Sequence, residues 1–280
     1  MRALLTFLMG FVLTLAPAAR AAGERPLTLG VVPYLSARAI VQLYTPLQEY
    51  LERSLQRPVR LVTAPDYLTF LDKTAKRDYD LIATSPAFGR MAQNETGYAP
   101  LLRPRNSLEV LLVTLKESAL QDVSGVRGQT IATTDSLATL TLAGVRALSE
   151  RGLVPGRDVA VRPTNSHANS LAAMRRGDAV AAITSSTALR QVGAAASAPV
   201  RTLAVLSTTT PLLYLASPAL RAPQVETLRR LMVEFANRTD AGRRFMEELG
   251  HGTLVPVSAR DMASLDPLVD DLRTQLEILR

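Results

Sequence analysis

The chain has 280 residues, of which 47% are hydrophobic and 20% charged, and it contains no cysteine, so it depends on a packed core instead of disulfides. The 32 Lys and Arg residues against 25 Asp and Glu give a net charge of +7, but the basic residues are scattered and Trp is absent, which argues against a nucleic-acid-binding protein. Two histidines without cysteine exclude a metal site of several His and Cys ligands.

Residues 1–21 fit a secretory signal peptide. Arg2 precedes an apolar run from Ala3 to Leu15, and Ala19-Arg20-Ala21 is a small-residue cleavage site. The run is too short for a membrane span, which needs about 20 apolar residues, and no cysteine follows it to carry a lipid. Cleavage removes two arginines and no acid, which leaves a net charge of +5. We therefore expect an exported, periplasmic, monomeric protein that does not insert into the membrane.

The first part of this chain alternates strands with helices. The predicted strands are Leu27–Val32, Pro58–Thr63 and Asp80–Thr84. Thr45-Pro46-Leu47-Gln48 has the pattern of a capping box with Pro at the first helical position, and Asp66 can cap a second helix. Because strands and helices alternate, we expect parallel pairing with right-handed crossovers.

The alternation starts again between two further apolar strands, Leu108–Thr114 and Pro211–Ala216. The predicted strands in that interval are Thr130–Thr133, Asp158–Arg162 and Ala179–Thr184. Ser136 is expected to cap a helix that ends at Gly152, and Ser166 or Asn165 to cap a later one. We thus expect one lobe of residues 22–112 and 213–280, an inserted lobe of residues 113–212, and the two flanking strands as crossovers. Three further helices are predicted, at Pro223–Asn237, Ala241–Leu249 (capped by Thr239) and Ser264–Leu279.

Polar side chains follow several of the predicted strands. The loops concerned are residues 33–36, 64–67, 84–86, 133–139 and 164–167. Because ligands of open parallel sheets bind beyond the carboxyl ends of the strands, these loops are expected to surround one cleft. The helix start at Ser166 and His167 offers N–H groups, a hydroxyl and an imidazole to an anion, and Tyr34 and Ser85 are further candidates.

The sequence resembles the periplasmic substrate-binding proteins of phosphate, phosphite and phosphonate ABC transporters over nearly all of the chain that follows the signal peptide. The matching segments are Leu-Gly-Val-Val-Pro (29–33), Pro-Leu-Gln-Glu-Tyr-Leu-Glu (46–52), Ala-Pro-Asp-Tyr (64–67), Asp-Leu-Ile-Ala-Thr-Ser-Pro-Ala (80–87), residues 166–177, residues 239–250 and Val-Pro-Val (255–257). The resemblance implies an α/β, two-lobed type II periplasmic fold, with a mostly parallel sheet flanked by helices in each lobe and two crossover strands between the lobes.

The resemblance also implies which residues bind the ligand. In that family a tyrosine after the second strand, a Ser-Thr-Ser-Gly-like helix start in the inserted lobe and a histidine after a serine hold the oxyanion. The matching positions here are Tyr67, Ser136 with Thr139, and His167. Such groups, together with helix N–H groups, donate to phosphoryl oxygens without the burial of a full positive charge.

The chain departs from the family pattern in two places. Residues 136–139 read Ser-Leu-Ala-Thr, so two of the four small polar positions are changed. Residues 182–187 read Ala-Ile-Thr-Ser-Ser-Thr and lack the carboxylates that phosphonate binders place near the amine of their ligand. The departures argue against an aminoalkyl phosphonate and leave a smaller or different ligand open.

The resemblance implies an exported solute-binding protein that captures a small oxyanion for an ABC importer, with a membrane permease as its partner. Two alternatives are a periplasmic sensor that reports to a membrane histidine kinase and a transferase on the same two-lobed fold. The sequence has no nucleophile elbow, phosphate-binding glycine loop or zinc-protease motif, so we expect neither enzyme activity nor a cofactor.

Overall fold

The computed structural model describes residues 25–279, and the expected signal peptide lies outside the described residues. The strands are β1 (Leu27–Val31), β2 (Val59–Thr63), β3 (Leu81–Thr84), β4 (Ala99–Pro104), β5 (Leu108–Leu115), β6 (Thr130–Thr133), β7 (Ala160–Pro163), β8 (Ala181–Thr184), β9 (Val200–Thr209), β10 (Leu213–Ala216) and β11 (Leu254–Pro256). The helices are α1 (Ala37–Leu55), α2 (Tyr67–Ala75), α3 (Pro86–Thr96), α4 (Thr139–Glu150), α5 (His167–Arg175), α6 (Ser186–Gln191), α7 (Ala194–Ser197), α8 (Ala222–Arg238), α9 (Asp240–Glu248), α10 (Ala259–Ala263) and α11 (Asp266–Ile278). No helix within residues 25–279 is long and apolar enough to cross a membrane.

The strands form two sheets, in the order β11-β4-β10-β3-β1-β2 for lobe 1 and β7-β6-β8-β5-β9 for lobe 2. The two-lobed α/β fold is as expected. Three strands of each sheet pair in parallel, and the remaining strands pair antiparallel, so both sheets are mixed. The antiparallel strands β5 and β10 each enter their sheet directly from the other lobe, without the helical crossover that a parallel strand requires.

The chain passes between the sheets at residues 105–107 and 210–212. Strand β5 pairs with β9 along its whole length, and both belong to lobe 2. The strand expected as the first crossover therefore lies inside a lobe, and the boundary expected after residue 112 falls within it. The sequence analysis does not identify β9, which is the partner that places β5 in the second sheet. We propose residues 105–107 and 210–212 as the lobe boundaries.

Helix α1 begins nine residues before the expected start at Pro46. Ser36 caps it by accepting a hydrogen bond from the N–H of Ala39 at 3.3 Å, and Pro46 lies inside the helix. The predicted cap at Thr45 is wrong, and its hydroxyl instead donates to the Val41 carbonyl at 2.6 Å. Burial of one continuous apolar face compensates for the hydrogen bond that an internal proline removes. That face consists of Ile40, Tyr44, Leu47 and Leu51.

Helix α11 connects the two lobes because it packs against both α3 and α4. Its buried residues are Leu268, Val269 and Leu272. Arg90 of α3 forms an ion pair with Asp266 at 2.7 Å, and Arg146 of α4 forms one with Asp271 at 2.7 Å. These contacts hold α3 and α4 together, and the N-termini of those helices lie at the cleft described below.

The junction of α8 and α9 has no space for a side chain at Gly242. A Cβ at this position would lie 1.8 Å from the Phe235 carbonyl oxygen and 2.9 Å from the Cα of Ala236. The N–H of Gly242 donates to the hydroxyl of Thr239 at 2.9 Å, which confirms the predicted cap of α9.

We predict that Gly242→Ala lowers the free energy of unfolding by about 3 kcal/mol, because the backbone of α8 must move to admit the methyl group. The neighbouring change Ala241→Gly serves as the control and should cost about 1 kcal/mol through helix propensity. Urea denaturation of both variants measures the difference, and equal losses would contradict the packing at this junction.

Candidate ligand-binding site

A cavity of about 100 Å³ lies between the two lobes. Lobe 1 contributes Tyr34, Tyr67 and Ser85 to its wall, and lobe 2 contributes Thr139 and His167. The fold thus brings together five of the seven residues that the sequence analysis selects, although they are far apart along the chain. A cavity of this size accommodates several water molecules or one small ligand.

Four helices of nine or more residues begin at the cavity wall, two from each lobe, and the six-residue α6 begins there as well. Tyr67, Thr139 and His167 are the first residues of α2, α4 and α5, and Ser85 and Pro86 are at the start of α3. A helix N-terminus carries unpaired N–H groups and a partial charge of roughly +0.5. The partial charges of these helix ends favour an anion in the cavity without a buried cation.

Among the described residues that line the cavity, none is Lys, Arg, Asp or Glu. The apolar part of the wall includes Val32, Leu108, Leu140, Leu212 and Leu249. The polar lining residues supply hydroxyl, amide and imidazole groups. Such a wall can bind an anion through neutral donors and can pack against an apolar substituent, but none of its lining side chains is a counter-ion for an ammonium group.

Two wall residues of lobe 1 have buried hydroxyls without a good hydrogen bond in the protein. Ser85 is the N-cap residue of α3, but its buried Oγ makes no cap bond. The hydroxyl of Tyr34 is also buried without a well-formed hydrogen bond, and it lies near the hydroxyls of Tyr44 and Tyr214 in the core of lobe 1. A buried hydroxyl that lacks a partner costs about 1–3 kcal/mol, which bonding to a ligand oxygen would offset.

Both tyrosines of the wall stay protonated donors. Burial raises the pKa of Tyr34 and of Tyr67, and the nearby carboxylate of Asp135 raises that of Tyr67 further. The ring of Tyr67 packs edge-on against Phe88, with 5.6 Å between the ring centroids, so its position is fixed by the core of lobe 1.

His167 is held in the wall as a neutral imidazole. Its Nδ1 lies 3.1 Å from the hydroxyl oxygen of Thr184, at the end of β8. Burial lowers the pKa of His167 from 6.5 to about 4. When the Thr184 hydroxyl donates to Nδ1, the ring proton is on Nε2, where it is available to an anion.

Thr139 forms a direct contact between the lobes. Its hydroxyl oxygen accepts a hydrogen bond of 3.4 Å from the N–H of Ala87 in the first turn of α3. The starts of α3 and α4 therefore face each other across the cleft and are in contact there.

Ser136 lies outside this wall and lines a separate cavity with Thr141 and Gln275. The prediction that it caps α4 is wrong, because Ala138 occupies the N-cap position and the helix begins at Thr139. The chain makes an extra turn before the helix, in which the preceding Asp135 accepts the Leu137 N–H at 2.8 Å. The serine is left beside the helix start instead of at it.

Ser166 also lies off the cavity wall. It caps α5 as predicted, with its hydroxyl oxygen accepting the Asn169 N–H at 3.1 Å, while Asn165 adopts a left-handed conformation with φ of 68°. The cap bond uses the serine hydroxyl, and only the following residue, His167, reaches the cavity.

Several polar residues of the wall are not among the candidate residues named from the sequence. They are Thr134, Ser185, Thr187, Gln191, Thr209, Thr210 and His251. The hydroxyls of Thr209 and Thr210 are buried without a partner, and these residues belong to a Thr-Thr-Thr-Pro run at the second passage between the lobes. The threonine run could have indicated Thr209 and Thr210, and the fact that the chain has only two histidines could have indicated His251.

Comparisons with known proteins identify the family of this chain. The family model described as the periplasmic phosphonate substrate-binding protein of ABC transporters matches residues 29–262. The chain belongs to this family. Its function is therefore that of a periplasmic solute-binding protein, and the family is one of transporter components instead of enzymes. No curated protein matches the sequence.

Several solved structures share the fold. PhnD1 from Prochlorococcus marinus in complex with methylphosphonate has a TM-score of 0.78 at 12% identity, over 88% of this chain and 98% of that one. XAC2383 from Xanthomonas citri bound to chloride ion has a TM-score of 0.74 at 14% identity, over 89% of this chain and 97% of that one. The aliphatic sulphonate binding protein SsuA from Escherichia coli has a TM-score of 0.63 at 16% identity, over 91% of this chain and 94% of that one. Identities this low show the type II periplasmic fold alone.

The depressed pKa of His167 makes stability depend on pH. Because its pKa is about 4 in the folded protein and near 6.5 in the unfolded chain, the unfolded chain takes up the proton first as the pH falls. We predict that this residue's contribution is complete above pH 6.5 and is lost progressively towards pH 4. The loss should be about 1–3 kcal/mol, the lower values allowing for the ring's partial exposure.

Urea denaturation of the wild type and of His167→Gln between pH 7.5 and pH 4 measures this contribution. The variant should lose less stability than the wild type over that range. Parallel losses in the two proteins would show that the imidazole is not held in its neutral form.

Proposed function

We propose that the protein captures a small phosphorus oxyanion, namely phosphate, phosphite or an alkylphosphonate, between its lobes and delivers it to the permease of an ABC importer. The observation that carries this proposal is the cavity between the lobes at four helix starts, with the unpaired hydroxyl of Ser85 and the neutral ring of His167 in its wall residues. Hydroxyl, imidazole and helix N–H groups suit phosphoryl oxygens.

The wall favours a ligand without an ammonium group. The described lining residues include no carboxylate, and five of them are Val or Leu. PhnD1, which shares the fold, is described in complex with methylphosphonate, a ligand that combines an oxyanion with one methyl group. A compound of this kind matches both parts of the wall, whereas an aminoalkyl phosphonate would bury an unpaired cation at considerable cost.

We further propose that the protein acts without catalysis, as a monomer exported through the signal peptide at residues 1–21. Closure brings Tyr67 and Ser85 of lobe 1 towards Thr139 and His167 of lobe 2. Membership of a family of ABC-transporter components supports transport over the sensory and transferase alternatives.

Isothermal titration at pH 7.5 with phosphate, phosphite, methylphosphonate, sulfate and 2-aminoethylphosphonate tests the ligand class. We expect at least one of the first three compounds to bind, and 2-aminoethylphosphonate to bind more weakly than methylphosphonate. The absence of heat with all five compounds would contradict the proposal, and tighter binding of the amine would contradict the inferred lack of a counter-ion.

His167→Ala should weaken the binding of the same ligand by about 1–3 kcal/mol, the range for a lost hydrogen bond to a charged group. Glu150→Gln is the matched control in lobe 2, because this exposed residue ends α4 far along the helix from its cavity-facing start. Equal affinities of wild type and His167→Ala, measured by titration calorimetry, would limit the imidazole to a structural role.

A further inference from the structure

His251 is a second histidine of the cavity, and it comes from lobe 1, whereas His167 comes from lobe 2. Its Nδ1 is buried and has no hydrogen-bond partner in the protein. A buried ring nitrogen that lacks a partner is costly unless something else bonds to it. Because this residue lines the cavity, a ligand bound there can supply the missing partner.

The backbone fixes the place of this side chain. Helix α9 ends at Glu248, and Gly250 follows with φ of 68°, a left-handed conformation that glycine adopts without strain. The N–H of His251 then donates to the Met246 carbonyl at 2.8 Å. A Cβ on Gly250 would collide with the guanidinium of Arg190 from lobe 2, so the turn packs tightly against the opposite lobe.

Arg190 places a positive charge beside this ring. Its guanidinium donates to the Thr187 hydroxyl at 3.2 Å, and no carboxylate of residues 25–279 lies within ion-pair distance of it. Burial and this guanidinium lower the pKa of His251 to about 4, so the ring is neutral at neutral pH. An unpaired cation at the edge of the cavity favours an anion at this end of the site.

We infer that His251 is a ligand-binding residue, whose Nδ1 contacts the bound oxyanion from lobe 1 while His167 contacts it from lobe 2. The inference rests on the proposed function and deepens it. The anion is then held between two neutral imidazoles, and Arg190 attracts it without touching the cavity wall.

The test compares His251→Ala, His251→Asn and the control Glu248→Ala by isothermal titration with methylphosphonate and phosphite at pH 7.5. His251→Ala should weaken binding about 10- to 100-fold, the range for a lost hydrogen bond to a charged group. Asn places a polar atom close to the position of Nδ1, so His251→Asn should bind close to wild type. Glu248 is exposed on α9, away from the cavity wall, and its replacement should change nothing.

Equal affinity of His251→Ala and wild type would overturn the inference, and equal losses in the Ala and Asn variants would overturn the assignment of the contact to Nδ1. A wild type that binds neither probe nor any other compound of the panel would contradict the proposed function itself, which separates the two failures.

A measurement on the unmodified protein tests the inference even when the variants do not fold. With ¹⁵N-labelled histidine, addition of the tighter probe should shift the Nδ1 resonance of His251 as well as the ring resonances of His167. A shift confined to His167 would overturn the inference.

Discussion

The partly positive N-terminal ends of four helices lie at one cavity, and the topology of both sheets places them there. The parallel strands of each sheet direct α2, α3, α4 and α5 to begin at the same edge, and the two passages of the chain turn those edges towards each other. Helix α11 joins α3 to α4 through Asp266 and Asp271, one ion pair to each lobe. Because the helix ends supply the attraction for an anion, the cavity needs no buried cation, and neutral hydroxyls and imidazoles complete its wall.

Much of the fold could be predicted because local patterns and packing agree. The apolar strands followed by polar loops predict the parallel part of both sheets, and the caps at Asp66, Ser166 and Thr239 are where the sequence places them. The errors arise where tertiary packing outweighs a local signal. The pattern at Thr45 and Pro46 is that of a helix start, yet an apolar face runs through it, and β5 belongs to lobe 2 because of a partner strand, β9, that lies far away in sequence.

The residues of the binding site also divide into those that the sequence predicts and those that it does not. Tyr34, Tyr67, Ser85, Thr139 and His167 could be placed together because each follows a strand end or begins a helix at the same edge. Ser136 could not be excluded from sequence, because an extra turn before α4 depends on a side-chain bond of Asp135. His251 has no strand before it and reaches the cavity only through the left-handed turn at Gly250, so its role emerges from three-dimensional packing alone.

A crystal structure of the protein grown with methylphosphonate at pH 7.5 tests the central claim most directly, namely that neutral donors of both lobes hold a small oxyanion in the closed cleft. The account predicts the ligand in the cavity, with its oxygens within hydrogen-bond distance of the Tyr67 hydroxyl, Ser85 Oγ and a ring nitrogen of His167. A closed cleft that stays free of ligand at a saturating concentration, or a ligand held by lysine or arginine side chains elsewhere on the surface, would contradict it.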